Sequence, residues 1–330
     1  MKAKRVLVTG AAGFIGHHLV SFLAESNHWI RGVDVKQPEL APSEADEFAV
    51  LDLRAPENCR FATEGIDEVY ALAADMGGMG YIAANNAAIL RNNFRLDVNT
   101  IEAAHEQGVS RYLYASSACV YPEYRQLSPD GAPLKESDAY PAQPQDGYGW
   151  EKLITERLCQ YFQEDYGLEI RIARFHNIFG PFGSWDGGRE KAPAALCRKI
   201  AVAKLTGRRE IEIWGDGRQT RSFCYVDDCV TGLYRLMRSD YRKPLNIGQD
   251  RMVTIDELAD MIAAIAGIEI VKRHVAGPQG VRGRNSDNTL LRGVLGWEPC
   301  VALEEGLAHT YEWIEDQVRA RLEAMAPTTV

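Results

Sequence analysis

A glycine-rich turn near the start of the chain constrains the fold more than any other feature. Residues 6–9 are an apolar run typical of a buried strand, and glycines then follow in a G-x-x-G-x-x-G spacing before a helical pattern begins. Such a strand–turn–helix unit suits a dinucleotide pyrophosphate, because the glycines allow close approach and the helix N-terminus offers free N–H groups. The residues that we expect to contact the dinucleotide here are Gly10, Gly13, Phe14, Ile15 and Gly16.

The first half of the chain alternates between strand-like and helix-like segments. Strand-like runs occur at Arg5–Thr9, Trp29–Asp34, Glu68–Leu72, Arg111–Ser116 and Ile170–Arg174. Helical patterns lie between several of them, notably Gly13–Glu25 and Asn93–Gln107. This alternation predicts an α/β fold with a Rossmann-like, doubly wound parallel sheet and helices on both faces.

The regular alternation loosens after Phe175, where Gly and Pro cluster, and a helix and a strand pattern resume at Ser222–Arg238 and Leu245–Gly248. We therefore predict that residues 1–175 and 222–250 form the dinucleotide-binding Rossmann domain. Residues 176–221 and 251–330 then form a smaller, C-terminal α/β domain that binds the substrate.

An acidic residue identifies the preferred dinucleotide. Asp34 closes the second predicted strand 18 residues after Gly16. A carboxylate there accepts hydrogen bonds from the adenosine ribose and repels a 2′-phosphate, so we predict NAD rather than NADP. Asp52 and Leu53 follow the third strand and are expected to flank the adenine, although a merely solvated Asp52 remains an alternative.

The charge balance excludes some partners. The chain carries 37 basic and 46 acidic side chains, a net charge of −9, which argues against nucleic acid and against a polybasic membrane surface. Between Arg171 and Arg221, however, eleven basic residues face five acidic ones. That local excess suits a small anionic ligand, and solvated charge on helix faces is the alternative.

The sequence predicts a cytoplasmic location. No segment resembles a signal peptide, and no apolar run approaches the ~18 residues that a membrane-spanning helix needs. Seven cysteines are scattered without zinc-ligand spacing. We expect reduced thiols and no metal site.

A tyrosine and a lysine form the first candidate catalytic pair. Tyr148 and Lys152 are four residues apart and share one face of a helix. A cationic amine beside a phenol favours phenolate, which suits proton transfer from an alcohol during hydride removal. Ser117 ends the fifth strand at the edge of the sheet where ligands bind, and we expect it to hydrogen-bond the same substrate hydroxyl.

The glycine loop, Asp34, Ser117 and the Tyr148/Lys152 pair together resemble the extended short-chain dehydrogenase/reductase superfamily, over nearly the whole chain. The resemblance implies NAD as cofactor. It also implies a homodimer, with a helix pair such as Asn93–Gln107 and Tyr148–Tyr166 at the interface.

Two further segments are typical of nucleotide-sugar epimerases and dehydratases in that superfamily. Arg174–Pro181 matches an R-F-x-N-x-Y-G-P-like pattern, with Phe179 in place of Tyr, and Arg221–Asp228 matches an R-S/D-F-x-Y-V-x-D pattern. These matches imply a nucleoside-diphosphate sugar as substrate.

Four more segments resemble the GDP-mannose 3,5-epimerase family: Ala74–Gly80, Ser116–Pro122, Gly187–Pro193 and Val281–Asp287. In that family the residues at the positions of Cys119 and Lys191 are the acid/base pair for epimerisation, and this chain has both. The resemblance implies a conversion of GDP-mannose to GDP-L-galactose, with GDP-L-gulose as a further product. In isolation, Cys119 would be read as a structural thiol and Lys191 as a solvated lysine.

Those two residues fit a definite chemical need. Transient oxidation of a sugar at C4 makes the hydrogens on C3 and C5 acidic, so that a base and an acid on opposite faces of the ring can invert these carbons. A thiolate and an amine serve if their surroundings bring their pKa values near neutrality. Return of the hydride then restores the C4 hydroxyl without net redox change.

The remaining candidate residues would contact the sugar nucleotide. Arginines match phosphate oxygens in a bidentate way, and by the resemblance we favour Arg284, then Arg221, for the diphosphate. Trp214 packs near the base or in the core, and the glycine-rich loop after the fourth strand binds the hexose or is a flexible turn. The other predicted substrate contacts are Met76, Gly77, Gly78, Ser117, Asn177, Lys191, Lys199 and Arg282.

Other functions remain open from the residues. A GDP-mannose 5-epimerase, an NDP-hexose 4-epimerase and a 4,6-dehydratase would use the same scaffold. Dehydratases of this superfamily carry an acidic residue beside the position of Cys119, whereas this chain has Ala118 and Val120 there. A cofactor-loaded binding protein without turnover is a third class, which the intact Tyr148/Lys152 pair argues against.

Overall fold

A seven-stranded parallel sheet organises the protein. The structure is a computed structural model and describes residues 3–325. Within them, the sheet runs in the order β3-β2-β1-β4-β5-β6-β11, and every neighbouring pair is parallel. Its strands are β1 (Arg5–Thr9), β2 (Trp29–Asp34), β3 (Glu47–Val50), β4 (Glu68–Ala71), β5 (Arg111–Ser117), β6 (Glu169–Phe175) and β11 (Pro244–Ile247).

Helices connect these strands and extend beyond them. They are α1 (Phe14–Ala24), α2 (Pro56–Thr63), α3 (Met79–Ala84), α4 (Asn86–Glu106), α5 (Gly147–Tyr166), α6 (Ala192–Thr206), α7 (Val226–Arg238), α8 (Ile255–Ala266), α9 (Thr289–Leu295) and α10 (Leu303–Met325). Local sequence explains several ends. Asp146 caps α5 by accepting a hydrogen bond from the Gly149 N–H, and Gly167 ends the same helix in the left-handed conformation.

The strand order reverses direction between β1 and β4, as in a doubly wound sheet, so the predicted fold class is confirmed. The predicted strands agree with the observed ones to within a residue at each end. Helix α4 begins at Asn86, seven residues before the predicted start at Asn93, because the asparagine-rich and alanine-rich segment continues the helix.

Both faces of the sheet are buried. Alternate side chains of β1 point to opposite faces: Val6 and Val8 belong to one hydrophobic cluster, and Leu7 belongs to another. The first cluster includes α6, α7, α8 and α10, and the second includes α2 and α4. Burial on both faces is the usual requirement of a parallel sheet.

The rest of the chain forms short strands packed beside this sheet. These strands form two two-stranded sheets, β10-β7 and β13-β8, and one three-stranded sheet, β12-β9-β14. Their bounds are β7 (Ile178–Phe179), β8 (Glu210–Trp214), β9 (Thr220–Ser222), β10 (Cys224–Tyr225), β12 (Met252–Thr254), β13 (Val271–Val275) and β14 (Gly283–Arg284). The division into two domains at 176, 222 and 250 stays a prediction, because α6, α8 and α10 share a hydrophobic cluster with β1. Within residues 3–325, no helix has both the length and the apolar character needed to cross a membrane.

Candidate active site

A single large cleft lies over the carboxyl ends of the central strands. Its volume is about 1190 Å³, and it runs from the glycine loop after β1 to the segments around β9 and β14. Every site residue predicted above lines it except Arg282. The carboxyl edge is where ligands bind in open α/β sheets.

The glycine loop is shaped for close approach of a phosphate. Gly10 has a φ of +69°, in the left-handed region that favours glycine, and a Cβ on Gly16 would lie 2.1 Å from the Gly10 carbonyl oxygen. Gly13 is the N-cap of α1 and has no side chain, so the N–H groups of the first turn point into the cleft without a local cap. These features fit the pyrophosphate of NAD.

The adenosine end of the cleft contains the predicted acid. The Ala12 N–H donates to Asp34 Oδ2 at 3.0 Å, which fixes the carboxylate beside the glycine loop. Burial raises the pKa of Asp34, and the hydrogen bond from Ala12 opposes that rise. Asp52 also lines the cleft, but its carboxylate is held by Arg54, with Nη2 to Oδ2 at 2.7 Å. Leu53 beside it is buried.

The tyrosine and the lysine of the candidate oxidation centre are nearly inaccessible to solvent. Tyr148 is 5% and Lys152 2% exposed. The Lys152 Nζ lies 5.7 Å from the centroid of the Tyr148 ring and donates a hydrogen bond to the Tyr114 hydroxyl at 3.0 Å. Burial raises the pKa of Tyr148, whereas Lys152 and a hydrogen bond with Ser117 lower it. The direction of the predicted lysine effect is therefore present, but burial outweighs it.

Ser117 occupies the end of β5, next to the turn that carries the candidate thiol. Its hydroxyl accepts a hydrogen bond from the Cys119 N–H at 3.1 Å. The turn spans Ala118–Val120 and bends the chain across the carboxyl end of the strand. One short segment thus brings Ser117 and Cys119 to the same part of the cleft.

Cys119 is half-buried and receives a cationic partner from the other end of the chain. Arg284 Nη1 donates to Cys119 Sγ at 3.3 Å, and Arg284 Nε donates to Gln126 Oε1 at 2.7 Å. Gln126 in turn donates to the carbonyls of Tyr121 and Pro122 at 3.1 and 3.2 Å. These bonds orient the guanidinium toward the sulfur.

Lys191 approaches the same region from the segment before α6. It is the N-cap of that helix, and its carbonyl accepts a hydrogen bond from the Ala195 N–H at 2.9 Å. Its side chain is exposed to solvent, but it lies inside the cleft, where protein atoms replace part of the surrounding water. Loss of bulk water lowers the pKa of the Lys191 ammonium, and the charge of Cys119 partly opposes that shift.

Two loops are tied together where they meet over the cleft. The Gly78 N–H donates to the Arg189 carbonyl at 3.0 Å. The Arg189 guanidinium donates to the Tyr81 hydroxyl at 2.7 Å, and that hydroxyl donates to Asp75 Oδ1 at 2.8 Å. We call these side chains, Asp75, Tyr81 and Arg189, the loop latch. A Cβ on Gly78 would lie 2.6 Å from the Glu190 carbonyl oxygen, so this contact requires glycine.

Several unneutralised cations line the far end of the cleft. Arg221 donates only to backbone carbonyls among the residues described, including that of Val281 at 2.7 Å. Burial and the nearby charge of Arg284 lower its pKa to about 9, which marks a cation that would gain from an anionic ligand. Lys199 also lines the cleft and donates to the Glu212 carbonyl at 2.6 Å.

Arg282 is the predicted substrate contact that the structure does not bring to the cleft. Its guanidinium forms two hydrogen bonds with the Asp216 carboxylate, both at 2.9 Å. Asn177, by contrast, lines the cleft with a φ of +44°, and its amide donates to the Ser222 carbonyl at 2.9 Å. Met76, Gly77 and Gly78 line the cleft as well.

Sequence reasoning missed the groups that support the catalytic candidates. Gln126 lies far in the sequence from Arg284, Arg189 from Tyr81, and Asp97 from Lys152. One signal was available: Asn93, Asp97 and Thr100 are polar residues on the buried face of α4, where apolar residues are expected. Such a pattern indicates a buried polar network.

Known proteins resemble this chain in sequence and in fold. The NAD dependent epimerase/dehydratase family matches residues 6–248. The GDP-mannose 3,5-epimerase of Arabidopsis thaliana is 51% identical over 316 residues, which cover 95% of this chain and 83% of that protein.

Solved structures of nucleotide-sugar epimerases have the same fold as this chain. The UDP-glucose 4-epimerase of Thermotoga maritima with UDP-glucose superposes with a TM-score of 0.84 and 27% identity, covering 95% of this chain and 99% of that one. The UDP-glucuronic acid 4-epimerase of Bacillus cereus, solved with UDP-glucuronic acid and NAD, gives a TM-score of 0.80 and 26% identity over the same shares. These findings confirm the predicted resemblance and the predicted cofactor. The chain belongs to the NAD-dependent epimerase/dehydratase family, within which its sequence is similar to the GDP-mannose 3,5-epimerases along most of its length.

Proposed function

We propose that this enzyme epimerises GDP-mannose at C3 and C5, with GDP-L-galactose and GDP-L-gulose as products. One observation carries the proposal: a thiol and an amine, Cys119 and Lys191, line the same cleft as Tyr148 and Lys152 and interact electrostatically. A C4 epimerase needs only the tyrosine and lysine pair. The similarity to GDP-mannose 3,5-epimerases supports the choice of sugar nucleotide.

The first chemical task is to make the ring hydrogens acidic. The glycine loop and Asp34 would hold NAD, which when bound would supply the hydride acceptor for oxidation at C4 and the hydride that restores the alcohol. Tyr148 holds the proton of the C4 hydroxyl, Ser117 hydrogen-bonds that oxygen, and Lys152 favours the phenolate. Because Tyr148 and Lys152 are buried, their charges act in a medium of low polarity and have a larger effect than in water.

The second task is to remove and return a proton at C3 and C5. Hydrogens next to a C4 carbonyl can be removed by a base at ordinary pH, and inversion needs a proton donor on the opposite face of the ring. Cys119, assisted by Arg284, and Lys191, with its lowered pKa, form such a pair. At each carbon one group acts as base while the other acts as acid. The base is the group on the face of the sugar ring that carries the hydrogen to be removed.

The diphosphate is proposed to lie near Arg221, Arg284 and Lys199. Arg221 and Arg284 form no ion pair with a carboxylate of residues 3–325, so their guanidiniums can bind phosphate oxygens. Asn177, together with the backbone of Gly77 and Gly78, would contact the sugar. Arg282 supports this end of the cleft indirectly, through Asp216.

The test is incubation with GDP-mannose in D₂O without added NAD, followed by NMR of the sugar. Deuterium at C3 and C5 with retained C4–H is expected. Deuterium at C5 alone would narrow the activity to 5-epimerisation. Inversion at C4 without exchange, or loss of water, would contradict the proposal in favour of a 4-epimerase or a 4,6-dehydratase.

A matched variant tests the role of the thiol. Cys119→Ala should stop deuterium exchange while the protein keeps its NAD, because the residues proposed to hold NAD, the glycine loop and Asp34, are unchanged. The buried Cys197→Ala serves as the control and should exchange normally. Loss of NAD from Cys119→Ala would instead indicate a structural cysteine.

A homodimer is also proposed, with α4 and α5 at its interface. Large apolar side chains are exposed on both helices: Leu90 and Phe94, four residues apart on α4, and Trp150 and Ile154, four apart on α5. Helices α4 and α5 pack side by side, so these side chains can form one patch that a second copy would cover. Sedimentation should give a dimer, and Ile154→Glu should give monomers; a monomeric parent protein would contradict this.

The proposed location is the cytoplasm. All seven cysteines, which lie within the described residues, are free thiols, as expected in a reducing compartment.

A further inference from the structure

Two acidic side chains are buried behind Lys152, and the mechanism above does not use them. Asp97 on α4 is 2% exposed, and Glu151 on α5 is fully buried. Lys152 Nζ lies 3.7 Å from Asp97 Oδ2 and 3.8 Å from Glu151 Oε2. If both carboxyls were ionised, the three groups would carry a net charge of −1 out of contact with water, which is costly.

The hydrogen bonds around these groups require an additional proton. The Tyr114 hydroxyl oxygen lies 3.1 Å from Asp97 Oδ2 and 3.1 Å from Glu151 Oε1, and it accepts a hydrogen bond from Lys152. A tyrosine hydroxyl has one hydrogen, so it can donate to only one carboxylate. With both acids ionised, one of the 3.1 Å contacts would bring two oxygen lone pairs together.

The donors identify which acid holds that proton. Glu151 is a potential acceptor for three side chains: Tyr114, Thr155 at 3.2 Å and Asn93 at 3.3 Å. Among the described residues, one donor side chain lies within hydrogen-bond distance of Asp97, namely the Tyr114 hydroxyl. The other neighbour of Asp97 is the Glu151 carboxyl group. Several donors stabilise an ionised carboxylate, so Glu151 is the anion and Asp97 the acid.

With that assignment each of the three contacts of the Tyr114 hydroxyl has a hydrogen. The Asp97 carboxyl donates to the Tyr114 oxygen, Tyr114 donates to Glu151, and Lys152 donates to the Tyr114 oxygen. We propose that Asp97 is a neutral carboxylic acid in the working enzyme and that Glu151 is the single counter-ion of Lys152. Asp97 is then a positioning residue, which acts through Tyr114 and Lys152.

This arrangement matters for the oxidation centre. A neutral Asp97 leaves the buried group with one positive and one negative charge, so the Lys152 ammonium remains able to stabilise a phenolate on Tyr148. A second carboxylate would oppose that phenolate. Burial, reinforced by Glu151 and opposed by Lys152, raises the pKa of Asp97 well above its usual range. The titratable groups around Asp97 come from β5 and α5: Tyr112, Tyr114, Glu151, Lys152 and Cys159.

The test is a carboxyl titration by NMR. The full-length protein would be labelled with aspartate carrying ¹³C at the side-chain carboxyl, and the Asp97 signal would be assigned by its loss in Asp97→Asn. We expect the Asp97 carbon to have the chemical shift of a protonated acid at neutral pH. An ionised shift at neutral pH would overturn the proposal whatever sugar the enzyme uses.

A matched variant tests the pairing with Glu151. In Glu151→Gln, Asp97 becomes the only carboxyl beside Lys152, so its signal should move to the ionised position at neutral pH. A signal that stays protonated would show that the two acids do not share one negative charge, and would contradict the proposal.

Kinetics test the positioning role of a neutral Asp97. Asp97→Leu removes the donor to the Tyr114 oxygen, so deuterium exchange should fall about tenfold, and the isosteric Asp97→Asn, whose amide supplies an uncharged donor, should restore most of that rate. If Asp97→Asn loses as much as Asp97→Leu with an unchanged melting temperature, Asp97 acts as an anion and the proposal is wrong. If no exchange is seen even in the parent enzyme, the proposed substrate is wrong, and the NMR titration still decides the state of Asp97.

Discussion

The oxidation centre and the proposed epimerisation centre are built in different ways. Tyr148 and Lys152 lie on one long helix, pack against β5 and are almost fully buried. Cys119, Lys191 and Arg284 come from a short turn, a helix cap and a two-residue strand, and solvent reaches this part of the cleft. A rigid centre suits a step with one fixed geometry, whereas one assembled from loops leaves space for a sugar ring that inverts at two carbons.

The epimerisation centre should nevertheless depend on the oxidation centre, because proton exchange at C3 and C5 requires oxidation at C4 first. Tyr148→Phe removes the group that holds the C4 proton, and without oxidation the C3 and C5 hydrogens are not acidic. We expect deuterium exchange at both carbons to fall about a thousandfold, although Cys119 and Lys191 are intact. Proton exchange at C3 or C5 that persists in Tyr148→Phe would show that the centres work independently.

Lys191→Ala should impair the epimerisation centre and leave the oxidation centre active. Exchange should fall about a hundredfold or more, while oxidation at C4 continues and can be followed by the absorbance of the reduced cofactor. Lys204→Ala is a suitable control, because Lys204 lies on the same helix α6 but outside the cleft lining, and its ammonium pairs with Glu315 at 2.9 Å. Equal losses of oxidation and exchange in Lys191→Ala would remove the distinction between the centres.

The same contrast explains what the sequence could predict. The glycine loop, Asp34 and the Tyr148/Lys152 pair have local spacing that follows from strand and helix geometry, so the sheet and the cofactor were predictable. The contact between Arg284 and Cys119 joins residues 165 positions apart and is created only when β14 pairs with β9. No local pattern specifies such a contact, and Cys119 and Lys191 were found only through resemblance to a family.

Arg282 illustrates the limit from the other side. It lies two residues from Arg284, and guanidinium geometry made both arginines candidates for the diphosphate, with Arg284 favoured by the resemblance and Arg282 as an alternative support. In the parallel register of β14 and β9, Gly283 pairs with Thr220 and Arg284 with Arg221. Alternation along a strand does not separate these two arginines, because residues two apart face the same side. Their partners separate them: Arg282, just before β14, pairs with Asp216, whereas Arg284 is held toward the cleft by Gln126 and Cys119. These partners lie far away in the sequence, so the difference was not predictable from the local pattern.

The loop latch offers a smaller test of the flexible centre. Arg189→Ala removes the hydrogen bond to Tyr81 and the stacking of the guanidinium, 4.0 Å from the ring centroid. Lys191 is two residues away, so its amine should lose a fixed position, and exchange should slow about tenfold while C4 oxidation is unaffected. Arg60→Ala, on the exposed surface of α2 and outside the cleft lining, is the control. An unchanged exchange rate would mean that the latch does not position Lys191.

The smallest effect concerns the support beneath the turn that carries Cys119. His176 is fully buried, and its Nε2 lies 3.0 Å from Asn246 Oδ1, which also accepts from Tyr121 at 2.6 Å. Asn246 Nδ2 donates to the Leu134 carbonyl, so Oδ1 must be the acceptor and His176 is neutral with its proton on Nε2. Burial lowers the pKa of His176 to about 3, from 6.5.

This lowered pKa predicts how acid weakens the fold. The unfolded chain takes up a proton near pH 6.5 and the folded one near pH 3, so the contribution of His176 is complete above 6.5 and is lost as the pH falls toward 3. At pH 6 the loss should be about 0.8 kcal/mol in the free energy of unfolding. Denaturant titrations of the parent protein and of His176→Gln, which has no titrating ring, measure the difference between their pH slopes. Parallel slopes would mean that this support does not titrate.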